Sequence, residues 1–318
     1  MKKLALLLAA LSVASVSYAK EVMPEAAPVV EEAPVVEEVV EVKAAPVLRV
    51  TSVGQELVVE NKSNANDRGY EDVGDAIHLK NKVGLALGDN WTFDLMARKT
   101  WTASIDDHLN GDTEGSGMKS KAHRIELAAT RHFENFSLGL RWRGEQGSDA
   151  IFLPVSYNYG MVSGWFDPAY YFVNGDDANA EDYFYLEAEP VVLSYGPVQL
   201  AYYFEGYKYA GDGCVVEGLK SDYAHQARLR GTVYSNDTFS VGLEYRYQFA
   251  QDVELLNGKD GVENNRHIGV LSGAYNVTEN LTLSGYYQYE FNKYEQHEGK
   301  VMDDDYYGEF GLGWSYNF

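Results

Sequence analysis

From Leu48 onward, apolar and polar side chains alternate with a period of two. Phe239, Val241, Leu243, Tyr245, Tyr247 and Phe249 interleave with Thr238, Ser240, Gly242, Glu244, Arg246 and Gln248. The same alternation runs from Leu281 to Phe291 and from Phe136 to Arg143. Successive side chains of a strand point to opposite faces, so each stretch has one apolar and one polar face. Each is close to the length of about 9–11 residues that a tilted strand needs to cross a bilayer.

The connections sort into two kinds. Short turns fall at Gly88-Asp89-Asn90, Glu134-Asn135, Gly160 to Gly164, Ser194 to Pro197, Ser235-Asn236-Asp237 and Thr278-Glu279-Asn280. Between them lie long polar loops: Asn61 to Gly74, Ala103 to Ser120, Asn174 to Asp182, Ala210 to Ser221, Gln251 to Asn264 and Asn292 to Asp304. Gln146 to Asp149 is short where a long loop is due. Tight turns at one rim and long loops at the other are the habit of outer-membrane barrels. Counting strands between these connections predicts a transmembrane antiparallel β-barrel of 14 strands, within a bracket of 12 to 16. The bracket is needed because residues 48–60 and 152–173 alternate poorly. Pro154, Pro168 and Pro190 also fall inside presumed strands, where each removes a ladder hydrogen bond.

The last strand is the clearest. Tyr306, Gly308, Phe310, Leu312, Trp314, Tyr316 and Phe318 share one face, and the chain ends on that aromatic. Such a terminus resembles the signal read by the barrel-assembly machinery, with Tyr316 and Phe318 as its expected recognition residues.

At the other end, Lys2 and Lys3 precede a short apolar run, Leu4 to Val16, and then Ser17-Tyr18-Ala19. This is the layout of a secretory signal peptide over residues 1–19, too short for a spanning helix. Residues 20–47 repeat APVVEE twice and carry seven Glu against two Lys. Frequent Pro and repelling Glu pairs predict a flexible Pro/Val/Glu-rich periplasmic linker, leaving 48–318 as the barrel.

Composition narrows the function. Tyr, Phe and Trp make up 14% of the chain, the amphipathic rings that suit a membrane–water boundary. Mean hydropathy is −0.34, which excludes a helical membrane protein but not a barrel. The net charge of −22 argues against nucleic acid as a partner. Cys214 is the single Cys, so no intrachain disulfide forms. None of His78, His108, His123, His132, His225, His267 and His297 sits in a catalytic or metal motif. No enzyme activity, cofactor or metal is therefore expected.

If the apolar faces meet lipid, the other faces meet the interior. The interior then receives Lys80, Lys82, Arg98, Arg124, Arg141, Arg143, Arg228, Arg230 and Arg246, and with them Glu126, Glu187, Glu189, Glu205, Glu244, Glu290 and Glu309. In lipid, one Lys or Arg at mid-depth costs about 2–4 kcal/mol. A dry interior would need every charge paired, whereas a wet one tolerates them all. The expected function is thus an outer-membrane channel for passive diffusion of ions and small hydrophilic solutes. Basic positions cluster at 80–143 and 228–246, acidic ones at 187–205 and 290–309. Two opposed walls of unlike sign would set up a transverse field, and ordinary cross-strand ion pairs are the alternative. Two other functions stay open: an adhesin or structural barrel acting through its loops, and a channel for acidic oligosaccharides gripped by paired Arg side chains. Outer-membrane lipid and lipopolysaccharide are the expected surroundings.

The mature start Lys20-Glu21-Val22-Met23-Pro24, the Pro/Val/Glu tract after it and the leader MKKLALLL resemble the major outer-membrane porin family of fusobacteria. The likeness covers about the N-terminal tenth of the chain, which is short for that family. It implies a weakly selective diffusion porin, and a homotrimer, but transfers no pore residue.

Overall fold

The computed structural model describes residues 47–64, 73–103, 105, 117–173, 181–211, 218–295 and 304–318. The leader, all of the acidic tract except Val47, Cys214, His108, His297 and most of the long loops lie outside the described residues. All described residues belong to one unit, Pro46–Phe318.

Fifteen strand segments follow one another: β1 Leu48–Asn64, β2 Ile77–Leu87, β3 Trp91–Thr102, β4 Lys119–His132, β5 Phe136–Glu145, β6 Ser148–Phe152, β7 Val155–Tyr159, β8 Val162–Val173, β9 Tyr183–Tyr195, β10 Val198–Tyr209, β11 Leu219–Ser235, β12 Phe239–Leu255, β13 Asn264–Asn276, β14 Leu281–Tyr294 and β15 Asp305–Asn317. Apart from β6 and β7, each pairs antiparallel with its chain neighbours, and β1 pairs with both β2 and β15, so the sheet closes on itself. β6 and β7 both lie between β5 and β8 and are two halves of one barrel strand. The barrel therefore has 14 strands, as the turn pattern predicts. Closure leaves no edge with unpaired backbone groups, which is the condition for standing in hydrocarbon.

The poorly alternating stretch owes its character to Pro154. Proline has no N–H to give, and the strand breaks there into β6 and β7. The ring sits on Gly139 of β5, where an added Cβ would come within 2.8 Å of it. The Gly139 N–H still reaches the Pro154 carbonyl at 2.7 Å, so the wall stays laced across the break. Pro190 falls at an irregularity, where the β8–β9 register steps from Trp165↔Glu189 to Ser163↔Val192. Pro168 is accommodated within β8, its carbonyl accepting from Leu153 N–H at 2.9 Å.

The short turns form one rim. Gly88 and Gly196 take φ of 60° and 56°, a left-handed conformation that glycine adopts without a steric penalty. The connection between β5 and β6 shrinks to Gln146-Gly147, as its length in the sequence implies.

One face of the sheet is apolar and exposed: Leu57, Leu95, Leu127, Leu200, Leu243, Leu271 and Leu312 all lie open on it. Aromatics gather at the short-turn rim, among them Phe133, Phe136, Tyr159, Tyr195, Phe239, Tyr275 and Phe318. There the Arg131 guanidinium lies 5.8 Å from the Trp91 ring and 5.0 Å from the Phe133 ring. An apolar belt bordered by rings and a basic side chain is what a bilayer and its interface select. No described helix is long and apolar enough to cross a membrane.

Candidate functional site

The polar face is the concave one. Arg141 on β5 pairs with Asp167 on β8, and Arg228 on β11 reaches Glu189 on β9 at 3.1 Å. Each contact passes over an intervening strand. Side chains converge like this only inside a closed barrel, because on the convex side they splay apart.

By register, all sixteen charged residues named from the alternation share this inner face. The structure groups most of them with partners. Lys80 and Lys82 hold Glu56 at 3.4 and 2.9 Å. Arg124 pairs with Glu145 at 2.8 Å, and Arg143 with Glu126 at 2.7 Å. Arg228 and Arg230 share Glu189, at 3.1 and 2.5 Å. Arg246 pairs with Glu244 at 2.9 Å, and Arg266 with Glu290 at 3.2 Å. The ordinary ion-pair alternative accordingly describes most of these residues.

Three carboxylates are held by phenols instead. The Tyr185 hydroxyl lies 3.0 Å from Glu187 and 3.0 Å from Glu205. The Tyr203 hydroxyl lies 2.9 and 3.0 Å from the same two groups. Glu309 accepts from Tyr307 at 2.9 Å and from Tyr286. Tyr286 and Tyr307 stand on the polar faces that the alternation gives β14 and β15, whereas Tyr185 and Tyr203 are marked inward only once the phase of β9 and β10 is known.

Sequence reasoning missed Glu56, Asp167 and Arg266, and with them Phe152 and Tyr171. Phe152 is 1% exposed, with the Arg141 and Arg143 guanidinium groups 4.1 and 4.5 Å from its ring centre. Arg143 also donates to the Tyr171 hydroxyl at 2.6 Å. Rings occupy both faces of β8 (Trp165, Phe166, Tyr170, Tyr171, Phe172), so hydrophobicity gave no phase there. Period-two reading of β1, anchored on Lys80 across the register, could have found Glu56.

Placed around the ring, the charges form four alternating sectors. β2–β5 are basic, β8–β10 acidic (Asp167, Glu187, Glu189, Glu205), β11–β13 basic, and β14, β15 and β1 acidic (Glu290, Asp305, Glu309, Glu56). In a closed ring of this order, β3 and β4 stand opposite β11 and β12, while β9 stands opposite β1. Like signs therefore face each other. The expected transverse field is corrected to a quadrupolar one: contributions from opposite walls cancel near the axis and survive near each wall.

Among the described residues, no side-chain hydrogen bond or ion pair links strands more than two places apart around the ring. Close strand approaches are likewise confined to lateral neighbours. Among the described residues, no such contact joins opposite walls.

The chain matches no known protein-family profile and no curated protein. Solved structures with a similar architecture include OccAB3 of Acinetobacter baumannii, at 6% identity and TM-score 0.48 over 85% of this chain and 99% of that one. An outer-membrane protein of Vibrio cholerae, OmpT, aligns at 10% identity and TM-score 0.45 over 85% and 98%. An anion-selective porin from Comamonas acidovorans aligns at 13% and 0.41 over 86% and 100%. At these values the likeness says nothing of solute or partner.

Proposed function

We propose that this chain is an outer-membrane porin, a water-filled channel for passive diffusion of ions and small hydrophilic solutes. The observation that carries this reading is a ring of charged side chains around a space that described side chains do not bridge. Ionic groups in such numbers are stable only where water completes their solvation. The named charged residues line the pore on this reading. The leader directs export, the 20–47 tract lies on the periplasmic side with the short turns, and Tyr316 and Phe318 serve recognition by the assembly machinery. Lipopolysaccharide surrounds the loop-side rim, and a homotrimer of the fusobacterial porin type is the assembly the sequence resemblance supports.

Liposome swelling and planar-bilayer recording test the proposal. Purified protein should give stepwise, ohmic conductance and admit small sugars to vesicles. A refolded barrel that inserts yet conducts nothing would leave the adhesin or structural reading in its place.

A further inference from the structure

One register row in the basic sector has an unmatched centre. Glu56, Lys80, Arg98, Arg124 and Glu145 are consecutive cross-strand partners on β1 to β5, all on the inner face. The signs run minus, plus, plus, plus, minus. The outer acids take the outer cations, Glu56 with Lys80 at 3.4 Å and Glu145 with Arg124 at 2.8 Å. Arg98 makes no ion pair among the described residues, and its Nε has no hydrogen-bond partner. Like charges directly opposite across a ladder are destabilising, and Arg98 has one on each side. The other acid of this sector that lies close by, Glu126, is held by Arg143 at 2.7 Å. Asp94 stands four residues along β3 from Arg98, on the same face and nearer the short-turn rim. These side chains border an open recess of about 330 Å³ that includes Lys80, Arg98 and Arg124.

We propose that Arg98 is the docking point for an oxyanion group, a carboxylate or phosphate, on solutes crossing the channel. This rests on the pore reading and gives it a solute class. A guanidinium offers a planar fork of N–H donors that fits such groups bidentately, and Lys80 and Arg124, each already paired with an acid on its far side, flank it with positive charge. A neutral solute gains nothing from the row. Because the unmatched charge costs stability in the empty channel, the residue should be dispensable for folding.

The test uses the full chain with Arg98→Gln and Arg98→Lys, and Arg230→Gln as a paired arginine from the opposite basic sector. Chloride current in planar bilayers is titrated with glucuronate, inorganic phosphate and glucose. Wild type should be blocked by the two oxyanions and not by glucose. Arg98→Gln should weaken the block roughly tenfold or more, Arg98→Lys less, and Arg230→Gln little, as expected for one charge-assisted contact. The glucuronate and phosphate arms show which oxyanion is preferred. Arg98→Gln should also unfold at the same or a higher temperature than wild type, whereas a structural arginine would lower it. Equal block in Arg98→Gln and wild type, equal block by glucose, or a lower unfolding temperature overturns the proposal. Calorimetric binding of glucuronate and phosphate to protein in micelles needs no current, so a failed pore reading and a failed docking site give different results.

Discussion

Between β5 and β10 the inner face carries Phe152, Trp165, Tyr171, Tyr183, Tyr185 and Tyr203. Between β12 and β15 it carries Gly242, Ser272, Ala274, Ser284, Gly311 and Gly313. The first set packs into a solid wall: Tyr171 stacks on Tyr183 at 4.5 Å, and the Arg228 guanidinium lies 3.3 Å from the Tyr203 ring centre. The second leaves a recess of about 260 Å³ toward the short-turn rim, with the Tyr286 ring lying over Gly311 where a larger residue would overlap it. Both walls are antiparallel ladders whose side chains point inward and outward in turn. What differs is the size of the inward residue. The comparison teaches that strand pattern decides whether a barrel forms, and inward side-chain volume decides how closely each stretch of its wall is packed.

The largest expected effect is on the solid wall. Glu189 is buried to 2% exposure and serves two guanidinium groups. Glu189→Leu strands both, and should cost about 3–5 kcal/mol. The temperature at which the protein loses its compact gel mobility should fall accordingly, while Ser272→Leu in the open wall should move it little. Phe152→Ala comes next. It removes the ring beneath Arg141 and Arg143 and should cost about 3 kcal/mol by the same assay. A wild-type melting point in either variant would dissolve the distinction between the walls.

Permeation sharpens the contrast further. Arg141→Glu with Arg143→Glu inverts part of a basic sector beside Asp167 and Glu126. The reversal potential in a salt gradient should shift toward cation preference by roughly twofold or more in permeability ratio. An unchanged reversal potential would mean that these charges serve only the wall. The smallest effect is steric: Ser272→Trp fills the open recess and should lower single-channel conductance by roughly a fifth. No loss of conductance would place the path of the ions elsewhere.

How much of this was legible beforehand follows from particular residues. In β12 and β14 the apolar face was unambiguous, so Glu244, Arg246 and Glu290 could be assigned inward directly. In β8, aromatic on both faces, Asp167 could not be. The short turns set the strand number because turn chemistry is local, and Pro154 obscured one strand without removing it because its neighbours still pair through the break. The ion pairs were out of reach. Glu189 with Arg228, or Arg141 with Asp167, join residues far apart in sequence through a curvature that exists only after closure.

The sequence by itself determined the period of two, the rims, the strand count and the sign of each inward charge, because these depend on neighbours along one strand or across one turn. Only the tertiary structure decided which charges meet, that Arg98 has no ion pair among the described residues, and that like sectors oppose. Those properties belong to the ring: until β15 pairs with β1, no residue has an opposite side.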